Sequence, residues 1–127
     1  MDIEMAVNSK VGKVLVWFLT IGAGGAMLLA GSAKFLQSDM WMELFAGWGY
    51  PAVLTYVVGA LEMVGGAAAF IPKVATYGSV LIVLLMCGAV FTLVTSGAAP
   101  SSLPAGVSIL CFSIIAYVRF GARWTPS

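Results

Sequence analysis

Four apolar runs of about twenty residues each dominate the chain, at about residues 14–33, 51–71, 74–95 and 103–120. A helix rises about 1.5 Å per residue, so each run is long enough to cross the roughly 30 Å hydrocarbon core of a bilayer. Lipid offers the backbone no hydrogen-bond partner, so such runs must be helical or belong to closed barrels. Continuous apolar stretches of this length fit helices. The composition agrees, being 61% hydrophobic and 9% charged, with a mean hydropathy of +1.05. The fold class expected is therefore all-α, an integral membrane four-helix bundle with residues 1–127 forming a single transmembrane domain. "IPK" separates the second and third runs, its proline suiting a tight turn, and "SGAAPSSLP" separates the third and fourth. The first run is preceded by Lys10 and Lys13 and followed by "LAGSA", but it is longer than a signal-peptide core and reads as a retained span.

Charge orients these spans. Four crossings place both termini on one side together with the loop around Lys73. That side carries Lys10, Lys13, Lys73, Arg119 and Arg123, whereas the other carries Lys34 beside Asp39 and Glu43. The positive-inside rule puts both termini in the cytoplasm. A net charge of +1 gives no electrostatic case for nucleic acid. Histidine is absent, which removes the commonest metal ligand and general base, and no metal site is expected. Cys87 and Cys111 form no CxxC pair and read as small, buried apolar residues.

The connection "KFLQSDMWMELFAGWGY", residues 34–50, is longer than a helix bundle needs. Ser38 and Asp39 supply an N-cap signal, and Trp41, Leu44, Phe45 and Trp48 recur at helical spacing. A short amphipathic interfacial helix over about 39–47, between spans one and two, is expected, with "GWGYP" turning the chain into the second span. Its aromatic residues suit interfacial anchoring, and also a lid over a ligand.

One residue breaks the apolar stretch "VVGALEMVGGAAAF", namely Glu62. On a helix it shares a face with Thr55, Val58, Gly59, Gly65, Gly66 and Ala69. Small residues at such spacing let a second helix approach closely in lipid. Gly22, Ala26 and Ala30 recur every four residues on the first span, and Lys34 continues that row. A carboxylate at the bilayer centre costs about 2.5–3.5 kcal/mol or more, so Glu62 must pair, protonate or reach a polar cavity. It lies eleven residues past Pro51, about 16 Å along the helix. Lys34 sits near the mouth, so a direct pair, a water or a ligand between the two are all open. Thr92, Ser108 and Tyr117 are further polar candidates on the last two spans.

"AGSAKF", "FAGWGYP", "VGALEMVGG", "IPKVATYG" and "MCGAV", in this order and spacing, resemble the DoxX-like family of small four-span bacterial membrane proteins. The resemblance covers roughly residues 23–96. It implies a four-helix bundle in the bacterial cytoplasmic membrane. One branch of that family is associated with thiosulfate oxidation coupled to quinone reduction, another with oxidoreductase assemblies handling thiol stress. The family's lysine and glutamate positions match Lys34 and Glu62, and its turn matches Trp48 to Pro51. Many relatives carry a histidine late in the third span, where this chain reads "AVFTLVTSG".

Three functions compete. The first is a membrane component of a quinone- or thiol-linked redox system. Lys34 and Glu62 would form a proton or ligand site, with Trp41, Trp48, Tyr50, Thr55, Gly59 and Gly66 lining a pocket for a quinone. No cofactor motif is evident, so electrons would come from a partner redox enzyme. Whether the chain is itself an enzyme is left open. The second is a non-catalytic accessory or assembly subunit, in which Lys34 and Glu62 hold the bundle together. The third is a small proton-coupled transporter, for which a homo-oligomer would be usual.

Overall fold

The computed structural model describes residue 5, residues 8–71 and residues 73–119. The chain is all-α. Five helices follow one another: α1 (Lys10–Leu36), α2 (Ser38–Gly47), α3 (Val53–Ala68), α4 (Ala75–Thr95) and α5 (Leu103–Arg119). A 3-10 turn over Ala99–Ser102 leads into α5. Pro72, Phe120 and Arg123, used above for a turn, a span end and a topological charge, lie outside the described residues.

α1, α4 and the unit formed by the 3-10 turn with α5 are long and apolar enough to cross a membrane. α3 is shorter. Its 16 residues extend about 24 Å, against the 51–71 expected for that span. The chain on either side of it turns instead of continuing the helix. Leu54 and Thr55 donate their N–H groups to Pro51 and Ala52, and Phe70 and Ile71 donate theirs to Ala67 and Ala68. Such tightened i→i−3 bonds finish helix ends.

α1 begins ahead of its apolar run. Ser9 caps it, its hydroxyl accepting the Gly12 N–H at 3.0 Å. It also runs past residue 33, so Lys34 belongs to its last turn and not to the connection. α2 then starts after Gln37 alone. Its N-cap is Gln37 without a side-chain bond, in place of the expected Ser38 and Asp39 cap. Gly49 ends α2 at φ +85, with Tyr50 N–H bonded to Phe45 C=O and Gly49 N–H to Ala46 C=O. That pair of bonds is a Schellman closure, which needs a residue free to take positive φ. Gly97 closes α4 the same way at φ +86.

The bundle is a ring in the order α1, α3, α4, α5, with α3 packed against both α1 and α4. α1 and α3 are antiparallel, because Gly24 meets Gly66 and Gly31 meets Gly59. The face of α1 that meets α3 therefore carries Gly24, Met27, Gly31 and Lys34, all buried. Gly22 and Ala26 are exposed instead, and Gly22 has open space around it. The expected every-fourth-residue row fails for a geometric reason. Four residues turn a helix by about 400°, so a strict i+4 row drifts around the cylinder, whereas alternating steps of three and four stay on one face.

The core joins Met27, Ala69, Ile82, Met86, Ala105, Phe112 and Ile115. Two further bonds fasten its corners. Thr76 of α4 donates to the Ala116 carbonyl of α5 at 3.2 Å, and Tyr50 and Thr92 share a hydrogen bond of 2.7 Å. Cys87 is exposed on the bundle surface and Cys111 is half-buried, so neither is buried as expected. One core hydroxyl is badly served. Ser79 on α4 is fully buried, and its Oγ has no hydrogen-bond partner among the described residues. Leaving such a group unsatisfied costs about 1–3 kcal/mol, so Ser79→Ala is expected to raise the thermal midpoint of the detergent-solubilised protein.

Candidate functional site

The site is built where α1 and α3 cross near the α2 end of the bundle. Gly59 lets this happen. A Cβ built on it would lie 3.0 Å from the Lys34 Cβ and 3.1 Å from the Gly31 carbonyl, so any larger residue would have to push α1 back by a few tenths of an ångström. Lys34 thus leaves α1 level with Gly59, one turn from Glu62. Side chains on a helix lean toward its N-terminus. In antiparallel neighbours that makes Lys34 lean into the bundle and Glu62 lean toward the α2 end, so the two side chains approach each other. Lys34 Nζ lies 2.6 Å from Glu62 Oε1. Of the alternatives left open by the sequence, direct pairing is what the structure adopts.

The pair is sealed. The Lys34 side chain is 8% exposed and that of Glu62 is 2% exposed. Burying either charge alone would be costly, and their mutual attraction offsets that cost only at close range. α2 roofs the pair. The indole of Trp41 covers the Lys34 ammonium, its ring centroid 4.2 Å from Nζ, a cation–π contact that strengthens when water is excluded. Phe45 is buried beneath α2, with ring centroids 5.4 Å from Trp48 and 6.1 Å from Tyr50. Thr55 lies on the same face of α3 as Gly59 and Glu62 and is fully buried. Among the described residues neither its Oγ1 nor the buried Trp41 Nε1 has a hydrogen-bond partner.

The residues singled out in the sequence divide accordingly. Lys34, Glu62, Trp41 and Gly59 come together, and Thr55 lies one helical turn before Gly59 on the same face of α3. Trp48 and Tyr50 form the aromatic wall behind α2, and Tyr50 is tied to Thr92 of α4. Gly66 stands apart from the pair. A Cβ there would meet Gly24 and Met27, so it serves helix packing. Among the described residues, no group of three or more Cys, Asp or Glu side chains is placed to hold a metal ion.

A second polar cluster lies at the opposite end of the bundle, and the sequence did not disclose it. Arg119, in the last turn of α5, is 5% exposed. Its Nη2 donates to Thr20 Oγ1 of α1 at 3.4 Å, and its guanidinium lies 5.0 Å from the Trp17 ring centroid. The Thr20 hydroxyl in turn donates to the Val16 carbonyl at 2.8 Å. These residues close the ring between α1 and α5. Arg119 was counted only as a topological charge, because its partners lie about a hundred positions away and share no spacing with it.

This arrangement, a lysine ending the first span and a glutamate within the next, sits inside a family match. Residues 18–116 match the DoxX-like family. The chain belongs to the DoxX-like family. Among curated proteins it is similar to one named "Putative oxidoreductase CatD" from Bacillus subtilis (strain 168). The two are 27% identical over 88 residues, covering 69% of this chain and 63% of the relative. The match thus spans somewhat less than two thirds of that relative's length. No solved structure matches. As a DoxX-like protein with three helices long and apolar enough to cross a bilayer, the chain is a membrane protein.

Proposed function

We propose that this DoxX-like chain is the membrane component of a quinone- or thiol-linked redox system. The observation that carries the reading is the Lys34–Glu62 pair, a fully formed polar centre held at one depth in an otherwise apolar bundle. Intramembrane ionisable residues are expensive to insert and generally mark functional sites. Family membership and the name of the Bacillus relative support the redox direction. In this reading the α2 end faces the outer side of a bacterial inner membrane, and both termini are cytoplasmic. The excess of Lys10, Lys13, Lys73 and Arg119 at the terminal end supports that orientation. Electrons come from a partner enzyme, and the carrier is a quinone in the surrounding bilayer.

The test is gentle purification in native lipid particles, followed by protein identification and quinone extraction. A redox enzyme or a stoichiometric quinone is expected to accompany the chain. Recovery of the chain with neither would overturn the reading.

The sealing of the pair favours a second reading, an accessory or assembly subunit in which Lys34 and Glu62 only fix the packing of α1 against α3. The two readings separate on activity in a variant that lacks the pair but stays folded.

A further inference from the structure

The Lys34–Glu62 pair is sealed, and Gly59 packs tightly against Lys34, Gly31 and Phe35. Access to the pair from the α2 end therefore requires α2 to move. Its attachment suits motion. α2 packs on α1 and α3 far less extensively than those two helices pack on each other. Its joints are short. Gln37 is the one residue between α1 and α2, and it leaves the helical region at φ −116, ψ 41. Gly49, at φ +85, turns the chain away at the other end. Hinges absorb large φ/ψ changes in a few residues of this kind. Tied at both ends, α2 has one easy motion, a roll about its own axis.

The side chains of α2 suit two resting positions. At about 100° per residue, Met40, Leu44, Trp41, Phe45 and Met42 cover an arc of about 200° around the helix. A helix lying on an apolar surface needs roughly half of that. The arc is used off centre. Phe45 is buried and Trp41 and Met42 are half-buried, whereas Met40 and Leu44 are 47% and 42% exposed. A roll of about 100° exchanges the two parts, bringing Met40 and Leu44 down and lifting Trp41 and Phe45 out. Asp39 and Glu43, exposed on the far side, stay off the packed face in both positions.

The observed position carries opposing terms. It gains the contact of the Trp41 ring with Lys34 and those of Phe45 with Trp48 and Tyr50. It also buries Trp41 Nε1 with no hydrogen-bond partner among the described residues. An indole N–H can only donate, and a buried donor left unbonded is costly. The roll relieves that cost by carrying the N–H to water.

We propose that α2 is a two-position cover that rolls about Gln37 and Gly49. Trp41 and Phe45 lie over the pair in the closed position, and Met40 and Leu44 lie there in the open one. Met40 and Leu44 fill less volume than the two aromatic rings, so the roll takes the indole off the Lys34 ammonium and lets water in from the α2 end. Tyr50, beyond the hinge and bonded to Thr92, keeps its place. The motion is the same whether the pair acts on a carrier or only joins two helices.

The test is fluorine relaxation dispersion on the full chain in nanodiscs, which reports exchange on the μs–ms scale. One sample carries 5-fluorotryptophan and a second 4-fluorophenylalanine. The Trp41 and Phe45 signals are identified by their loss in Trp41→Phe and Phe45→Leu. A roll moves both rings together, so both signals are expected to show exchange with one rate and one minor population. The double variant Met40→Ser, Leu44→Ser leaves the closed position alone, because both residues are exposed there. It removes the apolar contact of the open position. The minor population is expected to fall by about tenfold or more at both rings, the worth of burying one leucine-sized side chain, with the main signals unmoved. Exchange at Trp41 without Phe45 would mean that a single side chain flips, and no exchange at either ring would mean that α2 is fixed. Either result, or an unchanged minor population in the double variant, overturns the proposal.

Discussion

Gly31→Leu is expected to prevent the bundle from forming. A Cβ at residue 31 would fall 2.6 Å from the Gly59 carbonyl oxygen and 3.1 Å from the Met63 backbone nitrogen. Those are backbone atoms, so nothing gives way unless α1 and α3 separate. Overpacking a core costs about 1–3 kcal/mol even where side chains can shift, and here the whole interface must open. The same movement pulls Lys34 away from Glu62. Size-exclusion chromatography of the detergent extract should show aggregate in place of a discrete species. Gly22→Leu is the matched control, because that glycine has nothing near it and should tolerate leucine. A well-folded Gly31→Leu protein beside an aggregated Gly22→Leu protein would mean that the register of α1 on α3 is wrong.

Removing one member of the ion pair should be the second large effect. Glu62→Ala leaves Lys34 buried with no counter-charge, a change that costs about 3–5 kcal/mol in buried pairs. The thermal midpoint in detergent should fall sharply. Replacing both partners by apolar residues of similar length, Lys34→Met with Glu62→Leu, removes the two charges together. Buried pairs exchanged in this way are often neutral or stabilising, so the double variant should regain most of the lost stability. A double variant as unstable as Glu62→Ala would mean that the pair contributes through contacts beyond its mutual attraction.

These two effects rest on features the sequence disclosed unequally. The bundle was legible because apolar runs long enough to span lipid leave helices as the natural solution. The face of α3 was legible too. Thr55, Val58, Gly59, Glu62, Gly65, Gly66 and Ala69 fall on one side by helical periodicity, and all but the half-buried Val58 are buried. Periodicity within one helix does not fix the partner's register. The expected row through Gly22, Ala26 and Ala30 therefore differs from the buried one through Gly24, Met27 and Gly31. The pairing of Lys34 with Glu62 depended on how far α1 continues and which way two antiparallel side chains lean, neither of which is a property of composition. The length of α3 was also obscured, since the apolar run continues through residues that turn instead of winding on. The Arg119–Thr20–Trp17 cluster was invisible because it joins the two ends of the sequence.

The Lys34–Glu62 pair either acts on a carrier or merely binds two helices together. The measurement that addresses this most directly is thiosulfate- or thiol-linked quinone reduction in membranes carrying the Lys34→Met, Glu62→Leu double variant, inserted and folded at wild-type levels. If Lys34 presents a charged hydrogen bond to a carrier, activity should fall by about tenfold or more, the worth of one such bond. Wild-type activity in that folded variant would contradict the account and leave the pair as an architectural lock.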